Sequence, residues 1–295
     1  MTGTAAPCLA DLPRDWPLVE HSRIVPVAPH RWHVQMAGQG PDVLLLHGAG
    51  ASTHSWRHMV PDLTMQYRVT VIDLPGHGFT RLGVRGRSSL VTVARDIAVL
   101  LKMLSVSPRL IVGHSAGAAV ALQLTYSGAV QPRGLVAVNG ALEDFKGPAG
   151  WLFPMMAKAL VLNPFTGIFL SRSGASMSSV RNLISSTGST LPPEGLAFYQ
   201  RLISDRRHID GTLAMMANWS LSALNRALPE ITTPALFLHG TRDRAVPHSV
   251  AARAAAAMPS GIVTLLPDVG HLAHEEVPEQ VMNAVQDFDM SLPAG

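Results

Sequence analysis

The sequence holds one cysteine, Cys8, so within a single chain it can build neither a disulfide framework nor a cysteine-based zinc or iron–sulfur site. Charge is also scarce, at 15% of 295 residues against 47% hydrophobic, which excludes a disordered, highly charged chain. Lysine is nearly absent: only Lys102, Lys146 and Lys158. The arginines form no basic stripe interleaved with aromatics, so no nucleic-acid partner is expected. The longest apolar stretch, Trp151 to Leu170, is interrupted by Pro154, Lys158, Asn163 and Pro164, so no transmembrane segment is expected. Metal-ligand clusters of the H-E-x-x-H kind, dinucleotide fingerprints and phosphate-binding loops are missing, and neither a metal nor a cofactor is expected. The stretch from Met1 to Trp16 carries Asp11 and Asp15 without an apolar core. No signal peptide is expected, and the expected location is cytoplasmic.

What is present is a pattern of alternating strands and helices in a chain long enough to bury a large core. Arg23 to Val27 and Arg31 to Met36 read as a hairpin turning at Ala28-Pro29-His30. Asp42 to Leu46 is a continuous apolar run, the pattern of a strand buried on both faces, and Arg68 to Ile72, Leu110 to Val112, Leu135 to Val138, Ala235 to Leu238 and Ile262 to Leu266 read the same way. Leu90, Val93, Ile97, Leu100, Leu101 and Leu104 fall at helical spacing. The expected fold class is α/β, with a mostly parallel central sheet flanked by helices. Alternation breaks between Ala141 and Leu221, a Met-rich, helical stretch between two strands. It reads as an inserted helical cap over residues 141–221, on a core made of 1–140 and 222–295.

The strongest chemical signal is Gly113-His114-Ser115-Ala116-Gly117, a G-x-S-x-G pattern between an apolar strand and a helical run. That context is the one a nucleophile elbow requires; the alternative is a serine in an ordinary strand–helix turn. A serine hydroxyl needs a base, and the base needs a carboxylate to orient it. Asp243 follows the strand ending at Leu238, and His271 follows the strand ending at Leu266, so both land with Ser115 at the carboxyl ends of strands. Ala116 and Ala49, the latter in His47-Gly48-Ala49-Gly50, are the expected oxyanion-hole donors, against a reading of His47 to Gly50 as a plain tight turn. His77 and His114 read as packing or hydrogen-bonding residues, with His114 also a candidate substrate contact beside the serine. Asp73, at a strand end, reads as a brace for its loop.

These motifs together make the chain resemble the α/β-hydrolase fold superfamily along almost its whole length. The stretches that carry the resemblance are Leu46-His47-Gly48, Asp73-Leu74-Pro75-Gly76-His77-Gly78, Gly113 to Gly117, Asp243 to Pro247 and Gly270-His271. A serine at position 115 points away from the branches with aspartate there, the haloalkane dehalogenases and epoxide hydrolases. Asp15-Trp16-Pro17, Arg31 to Gln35, His47 to Arg57 and Asn139 to Leu142 look more closely like the magnesium chelatase accessory proteins of bacteriochlorophyll biosynthesis. This resemblance implies a role around magnesium insertion into protoporphyrin IX, with magnesium chelatase subunits as partners, and leaves the reaction unnamed. An apolar substrate, a tetrapyrrole among the candidates, would meet Trp151, Met155 and Trp219 in a Met-rich cap, with Arg81, Arg85 and Arg87 available to carboxylates. The plainer reading makes these residues cap core and a solvated loop. The same cap is a surface for peripheral membrane contact. Two functions follow: a serine hydrolase acting on an ester or similar acyl group, or a non-catalytic protein that binds a tetrapyrrole or a chelatase subunit.

Overall fold

The computed structural model describes residues 12–84, 86–143 and 176–293. Eight strands form one sheet: β1 (Ser22–Val27), β2 (His30–Ala37), β3 (Asp42–Leu46), β4 (Arg68–Ile72), β5 (Pro108–His114), β6 (Gly134–Val138), β7 (Ala235–Gly240) and β8 (Gly261–Leu266). Their spatial order is β1-β2-β4-β3-β5-β6-β7-β8. β2 runs antiparallel to both β1 and β4, and β4, β3 and β5 to β8 are all parallel to one another. His30 pairs with Val27, so the hairpin turn is two residues, Ala28-Pro29, rather than three.

Side chains of a strand alternate between its faces, and the central strands use both. Leu44 and Leu46 of β3, Ile72 of β4 and Ile111 of β5 enter one core layer. Val43, Leu45, Val69, Val71, Leu110 and Val112 enter the other. Helices seal both layers, which explains why these strands read as unbroken apolar runs rather than alternating ones. The first layer packs under α2 (Leu90–Met103) and α3 (Ala116–Tyr126), following α1 (Val60–Leu63) in the chain. In α2, Leu90, Val93, Ile97, Leu100 and Leu101 are buried on one stripe, and the Ser89 hydroxyl accepts the Thr92 N–H at its start. Each fully buried Leu or Ile of this kind contributes about 1.5–3 kcal/mol.

Between β6 and β7 the described residues form α4 (Met177–Ser186), α5 (Pro193–Ser204), α6 (Arg206–Asn218) and α7 (Ser222–Ala227). The chain then closes with α8 (His248–Ala257), α9 (Ala273–Glu276) and α10 (Pro278–Ser291). Helices α4 and α5 share a small apolar cluster of their own, in which Val180, Ile184, Leu196 and Tyr199 meet Ala51 and Leu272 of the strand-end loops.

One strand departs from expectation. β8 is not buried on both faces: Ile262, Val263, Thr264 and Leu265 are exposed. The cause is position, because β8 is the edge of the sheet and pairs only with β7. An apolar run in sequence cannot tell an edge strand from a central one.

Candidate active site

The carboxyl ends of the parallel strands carry, in order across the sheet, Asp73 after β4, His47 after β3, Ser115 after β5, Asn139 after β6, Asp243 beyond β7 and His271 beyond β8. Parallel pairing is what gathers them, since every such strand ends on the same edge.

Ser115 sits between the last residue of β5 and the first of α3, with φ 50° and ψ −115°. A side-chain-bearing residue held there costs on the order of 1–3 kcal/mol, so the surroundings must enforce it. They do so sterically: a Cβ on Gly113 would lie 2.5 Å from the Gly117 carbonyl carbon, and one on Gly117 would lie 2.2 Å from the Leu46 oxygen. Any other residue at either place would push helix and sheet apart. The turn is also tied down, with Ser115 N–H donating to Val138 O at 3.0 Å and Ser115 O accepting from Ala118 and Ala141 N–H, each at 3.1 Å. Ser115 is half-buried.

Ala116 N–H begins α3, where a helix leaves its first amides without intrahelical acceptors. The positive end of the helix dipole lies there as well. Ala49 is exposed in the loop after β3. That loop closes on itself through Ala51 N–H to Gly48 O at 3.2 Å. His47 stiffens it: Nε2 accepts Leu74 N–H at 2.9 Å, so Nδ1 carries the proton and donates to Gly48 O at 2.7 Å.

Asp243 Oδ2 and His271 Nδ1 are 2.8 Å apart. The carboxylate has no freedom left. Its Oδ1 accepts Ala245 N–H at 2.8 Å and Val246 N–H at 2.9 Å, and its Oδ2 also accepts the Asn139 amide at 2.8 Å. Burial alone would raise the Asp243 pKa, but the His271 hydrogen bond and charge, with the Val246 N–H and the Asn139 amide, outweigh it and hold the acid below the usual carboxylate value. Asp243 is therefore an anion that accepts from Nδ1–H, and in the neutral ring this tautomer places the lone pair on Nε2 of His271.

Asn139 was not singled out for this role by sequence reasoning. Its φ of 48° is a left-handed conformation that asparagine tolerates better than most residues, and an Asn-Gly pair at a strand end is the one signal that marks it. Neither was His208, from α6. It is buried, its Nδ1 accepts Gly78 N–H at 3.0 Å, and its Nε2–H reaches Gly50 O at 3.2 Å, linking the inserted helices to the Ala49 loop. Burial lowers its pKa to about 4.

His114 lies behind the site rather than facing a substrate. It is 2% exposed, its Nε2–H donates to the His271 carbonyl at 2.9 Å, and its ring packs on His274 at 4.4 Å between centroids. The physical reason is strand alternation: with Ser115 turned outward at the elbow, the preceding residue points into the layer below. Trp219 is half-buried against the main core. Trp151, Met155 and Arg85 lie outside the described residues. Arg87 is already paired with Asp96 through Nε at 3.0 Å and a second, shorter bond. Arg81 is bound through its backbone to Arg31. Asp73 braces its loop: its carboxylate accepts Thr53 N–H at 2.7 Å, Phe79 N–H at 2.9 Å and His33 Nδ1 at 2.7 Å. Among the described residues no group of His, Cys, Asp and Glu could hold a metal ion, and no helix is long and apolar enough to cross a membrane.

Comparison with known proteins agrees with this architecture. The chain is 43% identical over 279 residues to the magnesium-chelatase 30 kDa subunit of Rhodobacter capsulatus, covering 94% of this chain and 97% of that one. It is 26% identical to the pimeloyl-[acyl-carrier protein] methyl ester esterase of Xylella fastidiosa, over 88% of this chain and the whole of that one. Among solved structures, a thermophilic esterase from Thermogutta terrifontis superposes with a TM-score of 0.73 at 22% identity, covering 92% of this chain and 98% of that one. The sequence profile of the alpha/beta hydrolase fold matches residues 41–278, and the chain belongs to that family.

Proposed function

We propose that this protein is a serine hydrolase in which Ser115, His271 and Asp243 act together on an ester or similar acyl substrate. The observation that carries the reading is the anchored Asp243–His271 pair, 2.8 Å between Oδ2 and Nδ1, at the same sheet edge as a serine held at φ 50°. In the proposed reaction His271 Nε2 takes the Ser115 hydroxyl proton as Oγ attacks the acyl carbon. The oxyanion that forms is met by the N–H groups of Ala49 and Ala116. His271 then gives its proton to the departing alcohol, leaving Ser115 acylated. Water, deprotonated by His271, attacks the acyl-enzyme and releases the acid with Ser115 restored. Residues 141–221 act as a cap over this site, with Trp151, Met155 and Trp219 among the contacts to an apolar substrate.

The relative named as a magnesium-chelatase subunit supports a setting in bacteriochlorophyll biosynthesis, where the protein would assist magnesium chelation of protoporphyrin IX together with chelatase subunits. The cytoplasm, with peripheral membrane contact through the cap, is the compartment this setting favours. That same name favours a second reading, a non-catalytic accessory protein that binds a tetrapyrrole or a chelatase subunit. Fluorophosphonate labelling of the purified protein separates the two. Labelling that is lost in Ser115→Ala supports the hydrolase. Folded wild-type protein that stays unlabelled, yet quenches on porphyrin addition, supports the binding protein.

A further inference from the structure

The stretch between α4 and α5 of the inserted helices runs alongside both loops that carry the proposed acid and base. Thr187 O accepts Arg244 N–H at 3.0 Å, one residue past Asp243. Two residues on, the Ser189 hydroxyl accepts Leu272 N–H at 2.9 Å, one residue past His271. Between them Gly188, at φ +87°, lets the backbones touch: a Cβ there would lie 2.0 Å from Arg242 O, and a Cβ on Gly270 would lie 2.4 Å from the Gly188 carbonyl carbon. Ser189 is 1% exposed, and Leu272 is buried in the cluster formed with α4 and α5.

The next turn of the His271 loop is fastened to the same segment. Glu276 accepts Gly270 N–H at 3.1 Å through Oε1 and Thr190 N–H at 3.4 Å through Oε2. Glu275 is buried and accepts the Tyr199 hydroxyl of α5 at 2.6 Å, while its other oxygen meets Arg57 Nη1 at 2.5 Å. Residues 187–199 therefore hold the chain immediately after Asp243 and on both sides of His271, without a side chain of their own on either catalytic group.

We infer that Ser189 is a positioning residue, through which the segment joining α4 and α5 sets the orientation of His271. This rests on the serine-hydrolase reading. The peptide before His271 is held by the Asn139 amide, which donates to Gly270 O at 3.2 Å; the peptide after it is held by His114 Nε2–H at its carbonyl and by Ser189 at its N–H. Removing the hydroxyl leaves Leu272 N–H buried without its acceptor, and the loop relaxes to satisfy it. A base displaced by an ångström loses on the order of 100-fold in rate, and a partial relaxation loses less.

The test is the rate of fluorophosphonate labelling at Ser115 across pH 5 to 9, with thermal melting measured in parallel. Ser189→Ala is expected to label about 10-fold more slowly than wild type at its plateau. The low-field proton resonance of His271 Nδ1–H is expected to shift or broaden in the same variant. A structural role alone would lower the melting temperature but leave the plateau rate and that resonance unchanged, and this outcome overturns the inference. If Ser189→Ala does not fold, Ser189→Cys decides, since the thiol keeps the shape of the side chain but is only a weak acceptor for Leu272 N–H. A slowing of about 3-fold supports the coupling, and an unchanged rate and resonance overturn it. Wild-type protein that labels at no pH overturns the hydrolase reading itself, and the positioning role falls with it.

Discussion

Ser22, His33 and Asp73 form a hydrogen-bonded chain, with Ser22 Oγ 3.0 Å from His33 Nε2 and His33 Nδ1 2.7 Å from Asp73 Oδ2. Its atom-by-atom connectivity is the one proposed for Ser115, His271 and Asp243. The surroundings differ in three respects. Ser22 has ordinary extended backbone, φ −75° and ψ 142°, whereas Ser115 is strained at φ 50°. Ser22 is the first residue of β1, while Ser115 precedes a helix that offers free amides. All three residues of the first chain are buried, and the Gln35 amide also occupies Ser22 Oγ, so no acyl group can approach. A serine, a histidine and an aspartate in sequence are therefore a brace in one place and a proposed reaction centre in the other. What separates them is backbone strain, the helix start that follows Ser115 and the burial of Ser22, not the residue types.

Substitution at the two serines is the sharpest way to test that contrast. Ser115→Ala is expected to reduce hydrolysis of any confirmed acyl substrate by about 10⁴-fold or more, while Ser22→Ala leaves it within a factor of about 2. Steady-state rates on both variants check this, and comparable losses at the two sites would erase the distinction. Asp243→Asn should keep the fold and lower kcat by about 10⁴-fold, because the wrong histidine tautomer is then favoured. Asp73→Asn should do the reverse. It removes a buried charge with three donors and is expected to cost about 3–5 kcal/mol of stability by denaturant unfolding, with labelling of the folded fraction preserved.

Acid should attack the folded state before it attacks the brace. Burial lowers His208 to about 4 and His114 to about 3, so both are neutral in the fold, while an unfolded chain protonates them below about 6.5. The unfolded state then binds more protons, and stability must fall as pH drops from 6.5 toward 4. At pH 5 this amounts to about 2 kcal/mol for each such histidine. The Asp73 carboxyl, held at about 2 because its partners outweigh its burial, adds stability above its unfolded value near 3.8 that is lost only as pH falls toward 2. Melting temperatures measured from pH 7.5 to 2 should fall steadily below about pH 6.5, with the Asp73 contribution joining only below about 4, and a flat profile down to pH 5 would contradict the neutral histidines. A loss smaller than at Ser115 or Asp243 is expected at Asn139→Ala, which takes one of four hydrogen-bond partners from Asp243 and should lower kcat about 10-fold with little change in KM.

The family and the placing of Ser115, Asp243 and His271 at strand ends were legible because they rest on local rules. Gly113 and Gly117 flank Ser115 since no Cβ fits at either place, and such a requirement leaves its mark in any sequence that folds this way. The apolar runs of β3 to β7 record burial under two helical layers in the same fashion. Other features depend on which segments meet across the fold, and there local reading falls short. β8 has the composition of a central strand and the position of an edge one. His114 stands beside the serine in sequence but beneath the base in space. Asn139, Ser189 and His208 act on loops 104, 83 and 130 residues away respectively, separations that no short motif can encode.

From its sequence alone this chain determines a parallel α/β sheet, the turn that strains Ser115, and an aspartate and a histidine in loops that follow strands. These follow from hydrophobic period, glycine sterics and chain order. Only the tertiary structure decides that the Ser22–His33–Asp73 chain is sealed, and which buried groups hold Asp243 and the His271 loop in place. Those outcomes depend on hydrogen-bond partners and burial supplied by distant segments, and the energy of a polar group is set by what surrounds it rather than by its neighbours along the chain.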